Sequence, residues 1–192
     1  MYFSCLLCKQ TSVEKFAPFL CGKCGNMLER AQDHLELQSL YRYSSALRHL
    51  ILKVKIEGSY RSFTCLRHLF LNSERTAEIL RHCESIMPAP SSLWSRLRGR
   101  IDLAWLLASS LSLAYEKELE RAPSKLHWQF RKRSQISNRE RVEMQETFYS
   151  AENKKTVLIV DDVVTSGYTL RRTSSALSHG NYRFLTLASA LR

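Results

Sequence analysis

Residues 156–170 read TVLIVDDVVTSGYTL. The branched aliphatic run at 157–160 is typical of a strand buried on both faces of a parallel sheet. Asp161 and Asp162 follow directly, and a hydroxyl-rich turn containing Gly167 leads into a helix. Backbone N–H groups and the helix dipole favour negative charge at such a turn, so the pattern predicts an anion site at the carboxyl end of the strand. Since aspartates repel phosphate, we expect them to face ribose hydroxyls or a hydrated Mg²⁺ ion.

Other site types can be compared with this segment. Receiver domains of signalling proteins also open with VLIVDD, but too few residues follow Asp162 here to complete that fold. The chain has no GKS or GKT sequence typical of a P-loop and no G-x-G-x-x-G sequence typical of dinucleotide binding. The remaining alternative is a core strand whose two aspartates cap the next helix.

This segment resembles the phosphoribosyl pyrophosphate (PRPP) loop of type I phosphoribosyltransferases. The resemblance implies that the acidic pair meets the ribose hydroxyls, that the turn wraps the 5′-phosphate, and that Mg²⁺ arrives with PRPP. The implied PRPP-binding residues are Asp161, Asp162, Val164, Thr165, Ser166, Gly167, Tyr168 and Thr169, with Asp161 and Asp162 as candidate Mg²⁺ ligands. Ser166 replaces a Thr of the family pattern, and Tyr168 replaces a small residue. Binding is retained if Tyr168 contributes only its N–H, whereas a ring folded inward narrows the site.

Composition narrows the class of partner. The 192 residues have room for one ordinary domain and a small module. The 29 Lys and Arg residues outnumber the 18 Asp and Glu residues, giving a net charge of +11 concentrated between Arg42 and Arg100. Phosphate-rich small molecules and single-stranded nucleic acid both suit such a chain. No signal peptide or membrane-spanning run is visible, so we expect a cytoplasmic protein with reduced cysteines and no membrane insertion.

Two C-x₂-C motifs lie near the amino terminus. They are formed by Cys5 with Cys8 and by Cys21 with Cys24. Two such turns can complete a tetrahedral Zn²⁺ site, and metal binding would supply the folding energy that so short a piece lacks. A redox dithiol and an iron–sulfur site are the alternatives. The module could be a structural staple or a nucleic-acid contact.

Helical and strand patterns fill the middle of the chain. We predict a strand over 37–43 and a helix from Ser44 or Ser45 to about residue 57, ended by Gly58. Further predicted elements are helices over 60–71, 74–83, 102–120 and 138–148 and a strand within 85–91, with Trp105 and Tyr115 in the apolar stripe of 102–120. The basic residues in this part of the chain either lie on solvated faces or form a nucleic-acid surface. The candidates for a nucleic-acid surface are Arg48, Lys53, Lys55, Arg131, Lys132 and Arg133.

The whole chain is most similar to the ComF branch of the phosphoribosyltransferases. Members combine an amino-terminal Cys₄ module, a P-V-P loop, an R-G-F-N-Q stretch and the carboxyl-terminal PRPP loop. Here 87–90 reads MPAP, and Arg98 and Gly99 are retained, while 100–102 departs from F-N-Q. The resemblance implies that Ala89 and Arg98 lie on the pyrophosphate side. The basic segment 125–135 is either a lid over the substrate or a solvated loop.

These features predict an α/β fold, with a type I phosphoribosyltransferase-like parallel sheet over 37–192 preceded by a Cys₄ zinc ribbon over 1–36. Ligands should bind at the carboxyl ends of the strands. The ComF resemblance implies a competence protein that handles single-stranded DNA in the cytoplasm during natural transformation. Its expected partners are PRPP or another ribose-phosphate, single-stranded DNA and the DNA-translocation machinery of DNA uptake. The alternative is an active Mg²⁺-dependent phosphoribosyltransferase acting on a nitrogen acceptor; the sequence assigns no catalytic residue.

Overall fold

A computed structural model of the chain describes residues 2–32, 37–91, 97–121, 155–167, 169, 170, 173 and 181–191. The predicted lid over 125–135, with Arg131, Lys132 and Arg133, lies outside these residues, as do the predicted helix over 138–148 and Tyr168. The predicted domain boundary after residue 36 falls at the edge of another stretch outside the description.

Two short hairpins precede a larger set of parallel strands and helices. In chain order the strands are β1 (Phe3–Ser4), β2 (Thr11–Ser12), β3 (Lys15–Ala17), β4 (Leu20–Cys21), β5 (Leu37–Arg42), β6 (Ser85–Pro88), β7 (Glu118–Leu119), β8 (Thr156–Val164) and β9 (Asn181–Ser189). The helices are α1 (Gly22–Gly25), α2 (Ser45–Glu57), α3 (Tyr60–Leu71), α4 (Glu74–Arg81) and α5 (Leu103–Tyr115). Thr169, Leu170 and Thr173 belong to a further helical segment that follows β8.

Among the described residues, the centre of the molecule is a five-stranded sheet in the order β5-β9-β8-β6-β7, and its paired strands are all parallel. This confirms the predicted α/β class. Strand β8 lies between β9 and β6, and its apolar run is buried: Leu158, Ile159 and Val160 have no exposed surface. The uninterrupted aliphatic pattern arises because both faces of this strand are covered.

Strand β8 is longer than its apolar run predicts. The aliphatic run ends at Val160, but pairing with β9 continues through Asp161, opposite Thr186, to Val164, opposite Ser189. Pairing with β6 ends at Val160, opposite Pro88. The acidic pair therefore lies on backbone that is held in the sheet on one side and has passed the end of β6 on the other.

The side chains of β8 alternate between two hydrophobic clusters. Leu158 shares the larger cluster with Leu107 of α5, while Ile159 shares the smaller one with Leu170 of the helical segment after β8. The connection from β6 to β7 and the connection from β8 to β9 therefore cover opposite faces of the sheet. The strand order reverses between β6 and β8, and open α/β sheets bind ligands in the crevice at such a switch point.

Helices α2, α3 and α4 agree with the sequence predictions because their start and stop signals are local. At the end of α2, Gly58 adopts a left-handed conformation with φ of 66°. Its N–H donates to the Val54 carbonyl at 3.1 Å, and the Ser59 N–H donates to the Lys53 carbonyl at 3.1 Å. The Gly58 bond is the 5→1 contact of the αL C-cap motif, with glycine at the left-handed position. Ser59 then caps α3, accepting from the Ser62 N–H at 3.3 Å.

Helix α5 departs from its prediction in length and in core composition. It ends at Tyr115 rather than near residue 120, because Glu116 turns left-handed with φ of 52° and the following residues form β7 beside β6. Trp105 is 37% exposed, so the prediction that it is a core residue is wrong, whereas Tyr115 is partly buried and packs against the core. Leu103 and Leu107, which the predicted stripe omitted, are fully buried instead.

The amino-terminal hairpins pack onto the helical layer through a shared core. Leu20 and Cys5 belong to the same buried cluster as Leu66 of α3. The Arg61 guanidinium lies 5.4 Å from the centre of the Phe19 ring, which adds a cation–π contact. The small module is therefore held against the body by apolar packing as well as by its chain connection.

Candidate functional site

Four cysteines meet in the amino-terminal module. Cys5 follows β1 and Cys8 lies in the turn after it, while Cys21 ends β4 and Cys24 lies in α1. Their sulfur atoms all lie within 4.8 Å of one another, and the Cys8 and Cys21 sulfurs are 3.8 Å apart. Cys8 is exposed, and the other three are buried.

This spacing suits a tetrahedral metal ion such as zinc. Zn–S bonds of about 2.3 Å place neighbouring sulfurs of a tetrahedron roughly 3.8 Å apart. Without a cation the thiols ionise unequally: burial raises the pKa of Cys5, but backbone hydrogen bonds from Cys21, Cys8 and Leu7 outweigh it and lower that pKa to about 6. Burial and the neighbouring thiols raise the pKa of Cys24 to about 12, which favours its neutral form. A bound metal reverses this preference because its ligand is the thiolate. Four sulfur ligands leave no open coordination position, so such an ion would be structural.

The four-cysteine cluster predicts a metal content of one ion per chain. Protein purified without chelators should contain about one thiolate-bound ion such as zinc by mass spectrometry of the elements. Cys21→Ser should lose that ion and lower the unfolding midpoint by roughly 5 °C or more, since metal binding stabilises the module. Cys65→Ala, at a buried cysteine outside the cluster, is the matched control and should keep the ion. Equal metal content in Cys21→Ser and wild type would contradict a Cys₄ centre.

The second candidate site is the switch point at the carboxyl ends of β6 and β8. It brings together the acidic pair of β8, the loop at 165–167 and the helical segment that begins near Thr169. From the other side come the end of α2 and the start of α5, joined where the Ile101 N–H donates to the Lys55 carbonyl at 3.3 Å. The site thus gathers residues from elements distant in sequence.

An ion pair joins Lys55 of α2 to Asp162 of β8. The Lys55 ammonium contacts Oδ2 of Asp162, whose side chain is only 9% exposed, while the Lys55 side chain is 29% exposed. The helical pattern of α2 places Lys55 off the apolar face, with the other basic residues of the helix, so this contact was not predicted. No local pattern could reveal it, since the two partners lie on different elements far apart in the chain.

Asp161 is in an environment that opposes its negative charge. Its Oδ1 accepts a hydrogen bond from the Asp162 N–H at 2.8 Å. Burial above all, and then the neighbouring charge of Asp162, raises the pKa of Asp161 to about 8. The hydrogen bond and Lys55 act in the opposite direction, while Asp102 adds a further negative charge. Asp102 is itself the N-cap of α5, where it accepts from the Trp105 N–H at 3.0 Å.

The loop after β8 has the features of an anion cradle. Thr165 and Ser166 are exposed, and Gly167 has a left-handed φ of 66°, which a residue with a Cβ adopts only with strain. The helical segment follows at once, with the Thr173 hydroxyl donating to the Thr169 carbonyl at 2.8 Å. Val164 is buried, and its carbonyl accepts from the Ala190 N–H at 2.9 Å. Its side chain therefore anchors the loop rather than facing a ligand.

The residues expected on the pyrophosphate side offer few main-chain donors. Ala89 is buried at the end of β6, and its N–H donates to the Val160 carbonyl at 2.7 Å. Pro88 and Pro90 have no N–H. Ser91 is therefore the first residue of this loop whose main-chain N–H can face a ligand. Arg98 is exposed before α5, in the turn containing Gly99.

The expected nucleic-acid residues differ in their surroundings. Arg48 is exposed on α2. Lys53 pairs with Glu57 at 3.1 Å one turn later on the same helix, and Lys55 pairs with Asp162 as described. Within the described residues, no helix has the length and apolar character required to cross a membrane.

Comparison with protein families and with curated proteins finds no match to this chain. What its sites bind must therefore be inferred from their residues and geometry.

The raised pKa of Asp161 predicts how stability depends on pH. Because the native-state pKa of about 8 exceeds the ordinary value of 3.8, the folded chain holds the extra proton between these values, and the free energy of unfolding falls as pH rises through them. Asp161→Asn removes this fall in the free energy of unfolding, because asparagine does not ionise. In buffer without divalent cations, its stability gain over wild type should be near zero below about pH 4 and should grow to several kcal/mol near pH 9, since each pH unit between the two pKa values contributes up to about 1.4 kcal/mol.

Urea unfolding across this pH range measures the difference, with the exposed Glu29→Gln as a control that should show no such trend. A gain that is constant with pH, or largest in acid, contradicts the assigned environment of Asp161.

Proposed function

We propose that the chain binds a phosphorylated pentose, with PRPP as the best-fitting ligand, at the carboxyl ends of β6 and β8. The observation that carries the proposal is the Lys55–Asp162 pair with Asp161 beside it, next to the glycine loop at a topological switch point. A switch-point crevice supplies the place, paired carboxylates accept hydroxyl groups, and a loop at a helix start favours an anion.

Each part of the site has a distinct role in this proposal. Asp161 and Asp162 accept hydrogen bonds from the ribose hydroxyls. Main-chain N–H groups at 165–169, with the hydroxyls of Thr165 and Ser166, hold the 5′-phosphate. The two carboxylates would also provide the oxygen ligands that Mg²⁺ prefers, and the ion would neutralise part of the diphosphate charge.

The amino-terminal module is, in this proposal, a zinc ribbon. The four convergent sulfurs support it, and zinc would be a structural staple rather than a reaction centre. Because the module shares its buried cluster with α3, loss of the ion is expected to weaken the helical layer that carries α2 and Lys55.

Binding without group transfer is favoured over an active phosphoribosyltransferase. A departing pyrophosphate needs donors aimed at its growing charge. The Ala89 N–H already belongs to the sheet, and its proline neighbours have none, so residues 88–90, at the described start of the loop after β6, offer no main-chain donor to a pyrophosphate. Arg98 remains the candidate cation on that side.

We propose that the cellular function of this protein is to handle single-stranded DNA, as a ComF-like competence protein would. The net charge of +11, the exposed Arg48 and the 76% exposed Tyr60 support a surface that attracts phosphates and stacks bases. Deoxyribose lacks the 2′-hydroxyl, so the pocket should prefer PRPP, and DNA should use the basic surface.

The double variant Asp161→Asn/Asp162→Asn tests the proposed pocket. Calorimetry with PRPP and Mg²⁺ should detect binding to the wild type, and the variant should lose affinity by roughly a hundredfold because each amide replaces a carboxyl oxygen that can accept a ribose hydroxyl with an NH₂ group that cannot. Glu29→Gln/Glu57→Gln, which removes the same charge at exposed ion pairs, should bind like the wild type. Incubation with nitrogen bases should release no pyrophosphate.

Wild-type protein that fails to bind PRPP contradicts the pocket, and pyrophosphate release favours the transferase. Single-stranded oligonucleotides should bind the wild type and the double variant equally, with an affinity that falls steeply between about 50 and 200 mM salt. No retention at about 50 mM salt would exclude the DNA-handling role.

A further inference from the structure

The Lys55–Asp162 pair has a consequence for ligand choice. Asp162 is the less exposed member of the acidic pair, and Lys55 contacts its Oδ2 directly. A ligand that takes this oxygen, through a hydroxyl or a divalent cation, must share it with the ammonium or displace it. Lys55 and a cation are therefore competitors for one carboxylate.

Displacement leaves the Lys55 ammonium in need of a new partner. The Lys55 side chain is less than one-third exposed. The backbone of Lys55 is fixed in α2, and its carbonyl accepts a hydrogen bond from the Ile101 N–H. A partly buried cation without a counter-ion is unfavourable, whereas anionic phosphate oxygens are among the best acceptors for an ammonium group. The exchange is favourable only if the incoming ligand itself carries the anion.

We propose that Lys55 is a specificity-determining residue that yields Asp162 only to a ligand that carries, besides its 5′-phosphate, a second anionic group on C1 of the pentose, such as the diphosphate of PRPP. This inference rests on the proposed pentose-phosphate site and adds a requirement that the ligand bring an anionic group to replace Asp162 as the partner of Lys55. Pentose hydroxyls, or Mg²⁺ alone, must compete with Lys55, whereas Mg²⁺ with PRPP gives the ammonium a replacement partner. The site should therefore prefer PRPP to ribose 5-phosphate.

The test is a comparison of Lys55→Gln with Lys53→Gln. The two lysines lie on the same helix, but Lys53 pairs with the exposed Glu57. In Lys55→Gln, affinity for Mg²⁺–PRPP should fall at least roughly tenfold, while affinity for Mn²⁺ alone, a spectroscopic probe for the cation, should rise several-fold. Lys53→Gln should change neither. Calorimetry measures the first affinity and electron paramagnetic resonance of free Mn²⁺ the second.

Opposite changes for the cation and for PRPP support the proposal, because a damaged fold would lower both. Unchanged affinities, or a joint loss, overturn it. A second variant, Lys55→Arg, keeps the charge and should retain the preference for PRPP over ribose 5-phosphate even if its affinities fall; loss of that preference also overturns the proposal. Wild-type protein that binds no PRPP refutes the pocket itself, whereas wild-type binding that Lys55→Gln leaves intact refutes only the role of Lys55.

Discussion

The candidate ligand site depends on one constraint, which is that strand β8 pairs with β9 along the full length of β8. Its buried aliphatic run fixes the strand between two hydrophobic clusters, and continued pairing carries Asp161 and Asp162 past the end of β6. Carboxylates in the middle of the sheet would have to be buried among apolar side chains, whereas here they lie at the edge of the sheet where the strand order reverses. The same pairing brings the loop after Val164, with its left-handed Gly167, to the same edge of the sheet.

The site places several carboxylates close together, and their negative charge is only partly compensated. Lys55 compensates Asp162, but Asp161 has a raised pKa because it is buried beside a second carboxylate and near a third, Asp102. Perturbed carboxylates in a crevice are more typical of functional sites than of structural ones, because a purely structural role would be filled better by a neutral residue. The four-cysteine cluster has the opposite character: an ion there would stabilise the module and take no part in chemistry.

Features set by local patterns were predictable, and features set by distant partners were not. Helix α3 and the glycine end of α2 follow from caps and apolar spacing within a few residues. The early end of α5 depends on β7 pairing with β6, and that pairing has no strong local signal in a two-residue strand. Trp105 satisfied the apolar period of its helix, yet the covered face is centred on Leu107. The cysteines were predictable as a cluster from their spacing, whereas the contact between Lys55 and Asp162 required the fold.

A crystal structure of the protein soaked with Mg²⁺ and PRPP tests the central claim, that the switch-point crevice binds a phosphorylated pentose. The account predicts the 5′-phosphate against the loop at 165–167 and the ribose hydroxyls on Asp161 and Asp162. It also predicts that the Lys55 ammonium leaves Asp162 for a diphosphate oxygen. PRPP bound elsewhere, such as on the basic surface around Arg48, with the Lys55–Asp162 pair undisturbed, would contradict it.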